Sequence, residues 1–421
     1  MGHEGVVAVL LGRSDVNPNT TNNYSQTPLL WAAQYGREGV VRILLERDDV
    51  DPNTVGKYGQ APLSWAATYG HEGVVRILLE RDDINPNTAD EYGLTPLWWA
   101  IQYKHEGVAR ILLERDDVNP NTTDKDGQAP LSWAARYEHE GIVRALLERN
   151  DINPNTADEY GLTPLWWAIQ YKHEGVARIL LERDDVNPNT TDKDGQTPLS
   201  WAARYGHEGI VRILLERNDV DPNTADKDGL TPLSWAVEYM HEGIVRILLE
   251  RNDVNPNTAD KYSQTPLFWA LGYGHEGAVK ILLERNDVDP GTFDEDCRKN
   301  RKLLWAAKYG HEGTVKILLE QNDIDPNTAD EDGRTPLSCA ARDRHGGIAE
   351  TLLQRNDVDP NTADEDGLTP LSWAAEDRHK AIANFLLRRT DFIPGYRVIR
   401  LTSTRRSIKP SEPPFKRARR F

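Results

Sequence analysis

Apolar residues recur along this chain in two short helical patterns that alternate with polar turns. Between Asp192 and Asn223, Leu199, Ala202 and Ala203 give a narrow face of small residues. Ile210, Val211, Ile213, Leu214 and Leu215 then give a broader stripe at helical spacing. The pattern predicts two helices. Helix A opens at Thr197-Pro198, where Thr suits the N-cap and Pro the first helical position. Gly206-His207 breaks it. Helix B starts at Glu208, an acid at the positive end of the helix, and carries Arg217 near its negative end. Asp221-Pro222-Asn223 stops helix B, since Pro cannot continue a helix. Asp192-Lys193-Asp194-Gly195 is turn chemistry.

This pattern repeats. Trp stands at 31, 65, 99, 133, 167, 201, 235 and 269, always 34 residues apart, and Trp305, Cys339 and Trp373 continue the series. Eleven units follow a half unit that begins at His3, and all 11 His occupy one slot of the unit. The Trp column, beside Ala-Ala, is expected to fill space between neighbouring helices A. Asp83–Gln128 and Asp151–Gln196 are identical and lie 68 residues apart, the mark of a duplicated two-repeat block. Around Cys297–Lys302 the unit loses its Gly and Pro and gains two residues, so the weakest seam is expected there.

Thr-Pro-Leu-x-x-Ala-Ala, Gly-His-Glu-Gly-x-Val and Leu-Leu-Glu resemble the ankyrin repeat over residues 1–392. The departures are a period of 34 rather than 33, and Trp after Ser, Trp, Leu or Phe where the family has His. The T-P-L-S-W-A-A and D-P-N spellings are similar to long fungal ankyrin arrays. The resemblance implies an all-α repeat solenoid with β-hairpin tips. Residues 1–21 would be an N-terminal half repeat, cut short because Met1 falls inside a unit; 22–392 the array; and 393–421 a basic, disordered tail. In the family the end of helix A faces a concave binding surface. That implies partner contacts by Tyr35, Tyr69, Tyr103, Tyr137, Tyr171, Tyr205, Tyr239, Tyr273 and Tyr309, with Arg136, Arg204 and Glu238 among the varying neighbours. The implied function is a non-enzymatic protein-interaction scaffold or recognition array. The alternative is the sensing part of a fungal NLR-like receptor whose NACHT ATPase lies outside this chain, which contains no G-x-x-x-x-G-K-[ST].

Charge narrows the partners. The net charge is −17. From Arg388 onward there are 11 basic and 2 acidic residues, a net +9 that leaves −26 on the rest. The array is therefore not expected to bind nucleic acid, and a partner with a basic patch suits it better. Lys416, Arg417, Arg419 and Arg420, with Arg405 and Arg406 upstream, read as a nuclear-localisation cluster. Two Cys give no disulfide framework, and no apolar run is long enough to span a bilayer. The expectation is an intracellular monomer, cytoplasmic or nuclear, without cofactor. The acidic loops fail the calcium-loop pattern, because aligning Gly229 to its Gly puts Trp235 at the ligating twelfth position. No acid, base and nucleophile set breaks the repeat, so no enzyme is expected.

Overall fold

The computed structural model describes residues 4–13, 15–288, 301–321, 324–376 and 379–388. The expected seam at Cys297 to Asn300, the tail from residue 389 and the basic cluster at Arg405–Arg420 lie outside these residues. The described residues form 23 helices and no strand. One unit, Met1–Lys299, holds a lone helix Glu4–Leu11 and eight helix pairs, the last ending at Glu276–Leu283. The other, Asn300–Phe421, holds three pairs from Arg301–Tyr309 to Lys380–Arg388. None of the helices described is long and apolar enough to cross a membrane.

Within each unit, helix A packs on the next helix A and helix B on the next helix B. The apolar stripes read from the sequence face inward: Leu97, Ala100, Ile101, Val108, Ala109 and Leu112 are fully buried in one repeat. Helix A runs from the Pro, as in Pro198–Arg204, with Thr197 Oγ1 accepting from the Ser200 N–H at 3.1 Å. In the repeats that spell Ala-Pro, this cap is missing. Ala61 and Ala129 make no side-chain cap bond, and Ser64 Oγ and Ser132 Oγ are buried without a partner. The lone first helix buries none of its residues and exposes Val6, Val9 and Leu10.

The tips are tight turns, not strand pairs. Asp90 N–H donates to Leu94 O and Gly93 N–H to Asp90 O, both at 3.0 Å, while Asp90 Oδ1 accepts from the Tyr92 and Leu94 N–H groups. Neighbouring tips are joined through single backbone bonds, such as Lys227 N–H to Asp194 O at 3.0 Å.

Two expectations about helix B change. It ends at Leu215, well before Pro222, so Asp-Pro-Asn is not what stops it. Arg217 lies beyond that end and serves the neighbouring repeat instead. Arg149 shows the arrangement: Nε and Nη2 grip Asp151 at 2.8 and 2.6 Å, and Nη1 donates to Arg115 O at 2.7 Å and Leu113 O at 3.1 Å in the preceding repeat. The Asp of this fork points the guanidinium at carbonyls left open by the end of the previous helix B. The Arg149 guanidinium holds the Asp151 carboxyl below the usual carboxylate range. The Asn of Asp/Asn-Pro-Asn makes a second link. Asn155 Nδ2 donates to Asp185 O at 2.6 Å, and its Oδ1 accepts from the Asn187 N–H at 2.8 Å, both in the following repeat.

Two substitutions should move stability in opposite directions. Asn155→Ala removes both of these bonds and is expected to cost about 1–3 kcal/mol. Ala129→Thr restores the cap and gives Ser132 a partner, and should add about 1 kcal/mol. Urea unfolding of the full chain measures both.

Candidate partner-binding edge

The end of helix A presents an aromatic edge. Each Tyr of the column is the residue at the C-terminus of helix A, where sequences such as Pro-Leu-Ser-Trp-Ala-Ala-Arg and Pro-Leu-Trp-Trp-Ala-Ile-Gln form a short helix with Trp one turn earlier. Trp and Tyr four residues apart lie on one helix face, and their ring centres are 4.3–6.1 Å apart. The Tyr ring then meets the His two residues on, as in Tyr103–His105 at 6.4 Å. Tyr35, Tyr69, Tyr103, Tyr137, Tyr171, Tyr205 and Tyr239 are 43–51% exposed. Tyr273 and Tyr309 are half-buried. Seven of the nine Tyr therefore stand on the surface, in register from repeat to repeat.

The Trp column does not simply fill the core. Trp98 and Trp166, the additional Trp of the duplicated block, are fully buried. The 34-residue column is graded instead: Trp31 is 44% exposed, Trp65, Trp99, Trp133 and Trp201 are half-buried, and Trp167 and Trp235 are 7% and 4% exposed. Over two of the buried rings lies an Arg of the preceding helix A, while Trp269, 5% exposed, is buried with Glu238 in that place. The Arg136 guanidinium lies 4.5 Å from the Trp167 ring centre, and that of Arg204 lies 4.4 Å from Trp235. Gln34, Thr68, Gln102 and Gln170 precede the half-buried rings. Arg136 and Arg204 thus lie within the aromatic edge, covering it, and Glu238 is half-buried in the equivalent place.

The His column is structural and reaches backward. His105 Nε2 bonds Thr68 O and His173 Nε2 bonds Arg136 O, both at 3.0 Å, in the preceding helix A. Gly70, at φ +72°, ends a helix A against His105, and a Cβ there would sit 2.6 Å from the imidazole Nδ1. Lys104 and Lys172 take the same left-handed conformation with side chains, at φ 58° and 60°. Burial pushes the His139 and His207 imidazoles below the ordinary histidine range, and the positive charges of Lys104 and Lys172 act in the same direction. Burial also pushes the Cys339 thiol up to about 12, which leaves it without thiolate character. No group of three His, Cys, Asp or Glu among the described residues could hold a metal ion.

The residues that sequence reasoning missed are the Asn of Asp/Asn-Pro-Asn and the Arg-x-Asp pair. Both recur every 34 residues, which was the available signal. Their partners lie in another repeat, and spacing within one unit does not show that.

The depressed His pKa values set a pH dependence. The native chain keeps His139 and His207 neutral, whereas unfolded His binds protons below about 6.5. Their stabilising contribution is complete above that pH and declines as pH falls through the depressed folded values. Histidine NMR titration should place both below the ordinary range, and Lys104→Gly should shift His139 upward.

Comparisons with known proteins agree with this architecture. The family model described as ankyrin repeats (3 copies) matches in eight overlapping stretches, from residues 1–90 through to 303–394. No curated protein matches the chain. Among 545 matching chains of solved structures is the ankyrin repeat domain of Bcl-3, titled a unique member of the IkappaB protein family. It is 25% identical, covers 49% of this chain and 92% of its own, and gives a TM-score of 0.46. The 34-residue helix pairs and the family match over nearly all of the described residues establish that the chain belongs to the ankyrin-repeat family.

Proposed function

We propose that this chain is a non-enzymatic recognition array that binds a protein partner along the aromatic edge at the end of helix A and the adjoining tips. Ankyrin repeats are generally protein-interaction modules. The observation that carries the proposal is the row of Tyr, seven of them 43–51% exposed. Tyr offers large contact area at low entropy cost and is enriched where partners dock. Uniform Tyr cannot by itself discriminate between partners, so selectivity falls to the varying neighbours Arg136, Arg204 and Glu238. The acidic body favours a partner with basic groups. The Lys416–Arg420 cluster, with Arg405 and Arg406, would supply nuclear import of the assembly.

A photo-crosslinking amino acid placed at Tyr171 should capture a discrete protein partner, and the same group at Glu148, just past the end of helix B, should not. Changing Tyr137 and Tyr205 to Ala should abolish the Tyr171 crosslink, each hot-spot Tyr carrying about 2 kcal/mol of binding, while far-UV CD stays unchanged. Equal capture at both positions, or capture indifferent to Tyr137 and Tyr205, removes this edge as the binding surface.

A further inference from the structure

The Trp–Tyr pairs of two adjacent repeats can frame one side chain with four rings. Arg136 occupies such a frame. Its guanidinium carbon lies 5.8 and 5.6 Å from the Trp133 and Tyr137 ring centres, and 4.5 and 5.7 Å from those of Trp167 and Tyr171. Arg204 occupies the frame two repeats on, at 5.5 Å from Tyr205, 4.4 Å from Trp235 and 5.7 Å from Tyr239. The protein itself thus shows what such a frame holds: a planar cation against ring faces, the geometry of cation–π attraction.

Another frame of the same build has no cation in it. Between Trp65–Tyr69 and Trp99–Tyr103 the corresponding residue is Thr68, too short to cover the rings. Its Oγ1 donates to Ser64 O at 2.8 Å, which turns the side chain back along its own helix. The Trp65–Tyr69 pair, 5.9 Å apart at 9°, is flatter than Trp133–Tyr137 at 5.1 Å and 27°, but the far pair is arranged as in the filled frame. Trp99 and Tyr103 are 6.0 Å apart at 10°, and Trp167 and Tyr171 are 6.1 Å apart at 12°. Trp99 is anchored through Nε1 to Asp90 Oδ2 at 3.1 Å. Burial records the difference: Trp167 under Arg136 is 7% exposed, whereas Trp99 beyond Thr68 is only half-buried.

We propose that the frame at Thr68 is a docking slot for an arginine side chain of a basic segment of a partner protein. This inference rests on the aromatic edge being the partner surface and adds the chemistry that surface reads. The guanidinium of Arg136 in the equivalent frame argues for the occupant, and the net −26 outside the tail attracts it. Lys104, which follows Tyr103, is placed with Glu106, Glu138 and Glu140 around a separate hollow at the start of helix B. Gln34 and Gln102 mark frames on either side that also lack Arg. Packed helices lie about 8–10 Å apart, which is roughly three residues of extended chain. A segment with Arg at every third position therefore addresses successive frames.

The test uses the full chain and a blocked peptide with three Arg separated by Gly-Ser, alongside Lys and citrulline versions. By calorimetry the Arg peptide should bind at least ten-fold more tightly than the citrulline peptide and several-fold more tightly than the Lys peptide. Thr68→Arg fills the slot from within and should weaken binding at least ten-fold with every Tyr still present. Should that variant fold poorly, the 19F resonance of 5-fluorotryptophan at position 99 should shift when the Arg peptide is added to the otherwise unchanged chain. Binding by Thr68→Arg within two-fold of the parent, equal binding of the Lys peptide, or an unmoved Trp99 resonance would each overturn the slot. Ten-fold tighter peptide binding after Arg397, Arg400, Arg405 and Arg406 are changed to Gln would overturn the external partner in favour of this chain's own basic segment. Failure of the peptide with the Tyr171 crosslink intact removes only the slot, and loss of both removes the binding edge itself.

Discussion

A helix of eight residues leaves half of its backbone carbonyls without partners inside the helix, and in this protein the next repeat supplies a partner for the last of them. The fork of Arg149 is aimed by Asp151 and reaches back to Leu113 and Arg115. Asn155 reaches forward to Asp185 and Asn187. His105 reaches back to Thr68. Each link crosses a repeat junction and needs its donor at one fixed place in the unit. Together with the buried stripes, they explain why the spacing stays at 34 from Trp31 to Trp269. An added residue would carry all of these donors out of reach of their acceptors at once. The exposed Arg–Asp pairs contribute little as ion pairs; their value lies in orienting a donor toward otherwise open carbonyls.

The same register produces the surface. Because helix A ends at the same place in the unit, Tyr arrives at the same edge in nine of the eleven repeats, beside its own Trp. A uniform ladder is sticky but not selective. Variation enters at the residue before Tyr, where Arg136 and Arg204 cover the next Trp and Gln or Thr leaves it half-buried. Arg136 and Arg204, each just after a copy of the duplicated block, fill two frames two repeats apart, with a Gln170 frame between them. A single substitution at this position changes what the edge presents without disturbing the junction.

The repeats also differ in how completely they satisfy their own rules. Ala61 and Ala129 replace the capping Thr and leave Ser64 and Ser132 with buried hydroxyls lacking partners, a local cost that the surrounding stack tolerates. Lys104 and Lys172 replace the Gly that ends helix A. They bring a positive charge near a His, and that His is held neutral by burial. Such defects are affordable where neighbours on both sides hold the repeat in place.

Much of this was legible in the sequence. A 34-residue period with Thr-Pro starts, Gly-His breaks and a Leu-Leu stripe determines the helix pair, its inward face and the family, because those signals are local and recur along the chain. The Tyr edge was legible as a column. Its exposure was not, since a residue ending a helix can point inward or outward depending on what packs above it. Nor did the sequence assign Arg217 and its equivalents to the preceding repeat, or Asn155 to the following one. An acceptor more than thirty residues away comes within hydrogen-bond reach only once the repeats are stacked. The alternation of covered and open Trp faces was decided in the same way. It depends on a side chain of one repeat lying over a ring of the next, a contact that exists only in the tertiary structure.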